Sequence, residues 1–133
     1  MSAEQAGQVA EKQWRFQTLP LDARRLRAFS ELVADPNPVH VDPEFARALG
    51  LPGSIAQGGL VVSALSRMLE REQLTHLDVQ LLASVPAGTA VVCEGEAVRV
   101  TADGHTEVNC VVHDRQHTVF ARAVAMVSGQ HTD

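Results

Sequence analysis

The stretch Asp35-Pro36-Asn37-Pro38-Val39-His40-Val41-Asp42-Pro43 decides how the rest of this chain is read. It sets two carboxylates, an amide and an imidazole in a segment stiffened by three prolines. Each proline holds its own φ near about −65° and pushes the residue before it toward extended geometry. Asp35, Asn37 and Asp42 are those restricted residues, so the loop has little freedom to wander. A preset carboxylate and imidazole five residues apart, Asp35 and His40, suit acid–base chemistry on a small substrate. Each of these residues alone is a common turn or cap residue. Joined to Gly58-Gly59, which opens a strongly apolar segment downstream, they point to an enzyme site.

The bulk properties agree with an enzyme of one domain. A chain of 133 residues holds one real core and not two. Apolar residues make up 45% and charged residues 20%, a globular balance rather than a disordered one. The net charge of −5, with no Lys/Arg run, argues against a nucleic-acid partner. No apolar run reaches the roughly 20 residues that span a bilayer, and Met1 to Glu11 is polar without a hydrophobic signal core. A cytoplasmic location is therefore expected, with no membrane partner. Cys93 and Cys110 form no CxxC spacing and no disulfide framework, so two buried thiols are expected. No His/Asp/Glu group has metal-ligand spacing, and neither a metal nor another cofactor is expected.

Residues 1–12 read as a loose polar arm and residues 13–130 as one domain. Trp14-Arg15-Phe16 begins a short strand. Asp22 is placed to cap a helix that carries Leu26, Phe29, Leu32 and Val33 at helical spacing through about Ala34. Asp42 caps the next one, with Pro43 at its first position and Gly50 stopping it. Residues 54–72 are the longest helical candidate, with first turns free of charge and so expected to be buried on most sides. The rest reads as strands over Leu77–Ser84, Ala90–Val100, Thr106–His113 and Thr118–Val127. Turns at Pro86-Ala87-Gly88, Ala102-Asp103-Gly104 and Asp114-Arg115-Gln116 would join them antiparallel. An α+β fold follows, with a sheet wrapped around one long helix. Glu94, Glu96, Arg99 and Thr101 are expected on its solvated face, and the histidines other than His40 in turns or polar strand positions.

The string from Asp35 to Asp42 resembles the hydratase motif of the MaoC-like, (R)-specific enoyl-CoA hydratase/dehydratase family, an Asp-x-Asn-Pro-x-His-x-Asp loop. Every fixed position is present: Asp35, Asn37, Pro38, His40 and Asp42. Pro52 to Leu60 is similar to the family segment ending in His-Gly-Met-Leu, with Gln57 in place of the His and Gly59 in place of the Met. The likeness runs from about residue 14 to 128. Thr89 stands where the family often has Asp.

This resemblance implies a hotdog fold and a hydro-lyase that interconverts trans-2-enoyl and (R)-3-hydroxyacyl thioesters of coenzyme A or acyl carrier protein. Asp35 and His40 would hold the reacting water, and the Gly58 N–H would face the thioester oxygen. Asn37, Gln57, Gly59 and Ser66 fall at substrate-side positions, Asn37 holding the loop and Gly59 allowing close packing. The resemblance further implies a homodimer with the thioester tunnel near the seam. A heterodimer with a MaoC-like partner, in a partner-dependent dehydratase, is the other arrangement. A hotdog thioesterase is the competing activity. It is disfavoured because the central helix carries no acidic residue before Glu70.

Overall fold

The structure, a computed structural model, describes residues 12–128, so residues 1–11 of the expected arm and the domain's last residues lie outside it. The chain runs β1 (Gln13–Gln17), α1 (Ala23–Leu32), a single 3-10 turn (Pro38–His40) and α2 (Pro43–Ala48). It continues through α3 (Gly58–Met68), β2 (Gln73–Leu81), β3 (Val92–Val100), β4 (His105–His113) and β5 (Val119–Ser128). The strands form one antiparallel sheet in the order β1-β3-β4-β5-β2, with α3 lying across it. This is the hotdog arrangement that the sequence pointed to.

Alternation along the strands explains which face meets α3. On β3, Cys93, Gly95 and Ala97 are buried while Glu94 and Glu96 are exposed. On β5, Ala121, Ala123, Ala125 and Val127 are buried and Arg122 and Val124 face out. The inward residues are mostly small, so the helix sits close to the sheet and fills the space with Leu65 and Met68. A Cβ on Gly95 would stand 3.0 Å from Met68 Cε and 3.1 Å from Val108 Cγ1. Burying the methyls and methylenes of this cluster is worth about 25 cal/mol per Å² of apolar surface. Cys93 and Cys110 are free thiols within it, and burial raises the first to about 12 and the second to about 11.

Several expectations are corrected. The long helix begins at Gly58, not at residue 54, because Ser54 to Gln57 is extended. Ile55 N–H donates to the Val39 carbonyl at 3.2 Å, Ala56 N–H donates to the Val85 carbonyl at 2.8 Å, and Ile55 bridges Pro86. Nor are the first two turns of α3 buried on most sides: the sheet covers Val61, Ala64 and Leu65, while Gly59, Val62 and Ser63 are exposed. The connections differ as well. β2 pairs with β5 at one edge, and Leu82–Val91 then crosses to the other side to enter β3, so only β3-β4-β5 is a true meander.

One histidine expected at a polar strand position is buried instead. His113 is 6% exposed, with Nδ1 2.6 Å from the Asp114 carbonyl and Nε2 2.6 Å from Glu94 Oε1. Both partners are acceptors, so only the doubly protonated ring satisfies both. Burial pulls the His113 pKa down, but these two hydrogen bonds outweigh it and the net shift is upward. The same contact, opposed by partial desolvation, lowers Glu94. A raised folded-state pKa adds stability that is whole below the ordinary value of 6.5 and is lost as pH climbs through the folded value. Glu94's share is present above 4.5 and is lost as pH falls through its lowered value. The thermal midpoint is therefore expected to fall as pH rises from about 6 to about 8.5, and Glu94→Gln should flatten that fall. Melts across this range check it.

Candidate active site

The proline-rich loop folds through its own side chains. α1 ends at Leu32 with Val33 as its C-cap, and Ala34 follows in the left-handed region at φ 55°. Ala34 N–H donates to the Glu31 carbonyl at 3.3 Å and Asp35 N–H to the Ser30 carbonyl at 2.9 Å, the paired bonds of a Schellman cap. Glycine usually takes that position; with alanine the backbone is strained by roughly 1–2 kcal/mol. Asp35 Oδ1 then accepts from Asn37 N–H at 3.0 Å, and Asn37 Oδ1 accepts from Val39 N–H at 3.1 Å. Asn37 thereby caps the 3-10 turn that carries His40. Asp42 caps α2, its Oδ1 accepting from Glu44 and Phe45.

These turns bring the carboxylate and imidazole together. Asp35 Oδ2 is 3.5 Å from His40 Nε2. The other ring nitrogen, Nδ1, is 2.8 Å from the Ile55 carbonyl, which can only accept, so Nδ1 carries the proton. In the neutral ring Nε2 is then an acceptor, facing the acceptor Oδ2. Two acceptors so placed can share a donor such as a water, which would give one O–H to each.

His40 is buried, and beside it a cavity of about 350 Å³ is also lined by Ala56, Gly58, Val61, Leu81 and Val85. Gly58 is the first residue of α3, so its N–H has no partner within the helix, and the helix dipole favours negative charge there. The preceding Gln57 provides no side-chain cap, unlike Asp22 and Asp42 at the other two helices. That helix end is left open toward the cavity wall. Among the described residues no group of three or more His, Cys, Asp or Glu side chains could hold a metal ion. No helix among them is long and apolar enough to cross a membrane.

The remaining sequence-predicted positions are placed as follows. Gly59 adjoins α1, where an added Cβ would meet the Phe29 ring at 3.1 Å. Ser66 lies two turns further along α3, half-buried and outside the lining of the His40 cavity. Gln57 is buried, 3% exposed, and its amide turns to α1: Nε2 donates to the Leu26 carbonyl and to Ser30 Oγ, both at 2.8 Å. Sequence reasoning missed Ser30, Ile55 and Leu81. Nothing in a lone helical Ser or in a Leu within a strand pattern marks them, since their partners lie far away in the chain.

The family described as MaoC like domain matches residues 5–123, and this chain belongs to it. Among solved structures, the chain is similar to the (R)-hydratase from A. caviae involved in PHA biosynthesis. That likeness has a TM-score of 0.80 at 22% identity, over 88% of this chain and 93% of that one. R-hydratase PhaJ1 from Pseudomonas aeruginosa, in the unliganded form, gives 0.82 at 16% identity, over 91% and 81%. The HadBC (3R-hydroxyacyl-ACP dehydratase) complex from Mycobacterium tuberculosis, truncated at its C terminus, gives 0.68 at 13%, over 90% and 96%. At these identities the structural likeness is one of fold. No curated protein matches this sequence.

Gly58→Ala separates a folding role from a site role. Its added Cβ would lie 2.9 Å from Leu81 Cδ1, the tip of a flexible side chain that is 55% exposed and can swing aside. The thermal midpoint should therefore stay within about 3 °C of wild type, a stability change below about 1 kcal/mol. Any loss of activity then comes from the narrowed cavity and the obstructed N–H, which melts and rates on the same sample check.

Proposed function

We propose that this chain is a hydratase/dehydratase that interconverts trans-2-enoyl and (R)-3-hydroxyacyl thioesters carried on coenzyme A or acyl carrier protein. The observation that carries the reading is the 3.5 Å pair of Asp35 Oδ2 and His40 Nε2, with the imidazole held by the Ile55 carbonyl beside a cavity that Gly58 also lines. Membership of the MaoC-like family supports a hydro-lyase.

In the hydration direction the water held by Asp35 and His40 attacks C3 of the enoyl group. Asp35 accepts one water hydrogen bond and fixes the direction of the lone pair. His40 Nε2 takes a proton from the water as the C3–O bond forms and passes it to C2, so the ring returns to its neutral form and one water is consumed per double bond. Acid–base assistance of this kind is worth about 10²–10⁴ in rate. Negative charge on the thioester oxygen meets the Gly58 N–H at the positive end of α3. Loss of one comparable donor costs about 3 kcal/mol of transition-state stabilisation in other enzymes. Dehydration retraces these steps.

Incubation with crotonyl-CoA should consume the enoyl absorbance without releasing thiol. Asp35→Asn and His40→Ala should each cut turnover by about 10²-fold or more while the far-UV circular dichroism is unchanged. Normal rates in either variant overturn the assignment, and thiol release without loss of enoyl absorbance favours a thioesterase.

The same reading includes a homodimer. β2 pairs on one side only, and the cavity opens where Leu81 and Leu82, 55% and 47% exposed, leave that edge strand. A free strand edge is an invitation to pairing. Light scattering should return twice the 14.3 kDa chain mass. A monomer that turns over only when mixed with a second MaoC-like chain would instead assign it to a heteromeric dehydratase.

A further inference from the structure

We propose that Gln57 is a positioning residue that, through Ser30, sets the distance between the Asp35 carboxylate and the Gly58 N–H; this rests on the hydratase reading. The connection is continuous. Gln57 Nε2 donates to Ser30 Oγ and to the Leu26 carbonyl, both at 2.8 Å. The Ser30 carbonyl in turn accepts Asp35 N–H at 2.9 Å, and Ala34, in the left-handed region, makes the turn between them. On the other side, Gln57 is the N-cap residue of α3, and its peptide carries the Gly58 N–H. One buried amide therefore ties the residue that carries the acid–base carboxylate to the residue that presents the open helix end. His40 is held separately, by Ile55. If α1 shifts on α3, Asp35 moves relative to both His40 and Gly58.

The chemistry of the bridge argues against a role in stability alone. Within α1 the Leu26 carbonyl already receives the helical Ser30 N–H, and the Ser30 hydroxyl can donate back to that carbonyl. Removing the Gln57 amide therefore strands no donor in α1. Gln57 Oε1, by contrast, is buried with no hydrogen-bond partner among the described residues, and such a group carries a desolvation penalty. A nonpolar side chain of similar length would remove that penalty. Glutamine at this position therefore serves geometry rather than stability.

The test uses the full chain, crotonyl-CoA hydration and thermal melts. Gln57→Met should melt at or above the wild-type midpoint. Its kcat should fall about 10–100-fold, the scale of a misplacement near 1 Å, while KM stays within about threefold because the cavity lining is untouched. Gln57→His, which keeps a ring N–H for Ser30 Oγ, should hold kcat within about threefold of wild type. Ser30→Ala leaves the Gln57 volume in place and should still lower kcat severalfold, so the idea stays testable if Gln57→Met fails to fold. The double variant should be no worse than Gln57→Met alone, because both break one link. Unchanged kcat in Ser30→Ala and Gln57→Met overturns the positioning role, as does a parallel loss of kcat, KM and midpoint. A wild type inactive on crotonyl-CoA overturns the hydratase reading and this proposal with it; an active wild type with unaffected variants overturns the positioning alone.

Discussion

The hydrogen bond from His40 Nδ1 to the Ile55 carbonyl is the contact on which the site depends. It settles three things at once. It selects the tautomer, it buries the ring in a defined orientation, and it fastens the proline-rich loop to the extended segment before α3. The return bond from Ile55 N–H to the Val39 carbonyl makes the attachment two-sided. Without it, Nε2 would have no fixed direction relative to Asp35. Short-range turn chemistry brings the two side chains near each other, but only this long-range bond determines which nitrogen faces the carboxylate.

Extended backbone at Ser54–Gln57 has a second consequence. Ile55 and Ala56 pair with Val85 and Pro86, and Ala87 N–H returns to the Ser54 carbonyl at 2.9 Å. The long connection between β2 and β3 therefore serves as a wall of the cavity as well as a crossover. Small side chains on β3, β4 and β5 let α3 settle close to the sheet, which carries the glycine end of the helix to that wall. Packing thus sets the depth of the site, and the loop supplies its polar groups.

Parts of this were legible in the residues. Asp22, Asp42 and Pro43 announce two helix starts, because capping is a contact between residues two or three apart, and both caps are present. The strands β3, β4 and β5 follow from alternation and turn residues. The start of α3 was not legible, since Ser54 to Gln57 is apolar enough to extend a helical pattern. What overrides that pattern is pairing with residues some thirty positions away. The buried His113 escaped for the same reason: its partner Glu94 lies on the neighbouring strand, and no local spacing links the two. Gln57 could be recognised as a departure from the family's histidine, yet its direction toward Ser30 and Leu26 could not.

The sequence by itself determined the loop's stiffness, the identities of its carboxylate and imidazole, and the glycine pair ahead of an apolar segment. These are local properties, set by proline rings, side-chain donors and acceptors, and the absence of a Cβ. Tertiary structure alone decided the 3.5 Å spacing, the protonated ring nitrogen, the cavity beside it and the amide bridge from α3 to α1. Each of those needs groups from distant parts of the chain to meet, and such meetings are settled by how α3 packs on the sheet, not by the order of residues along any one segment.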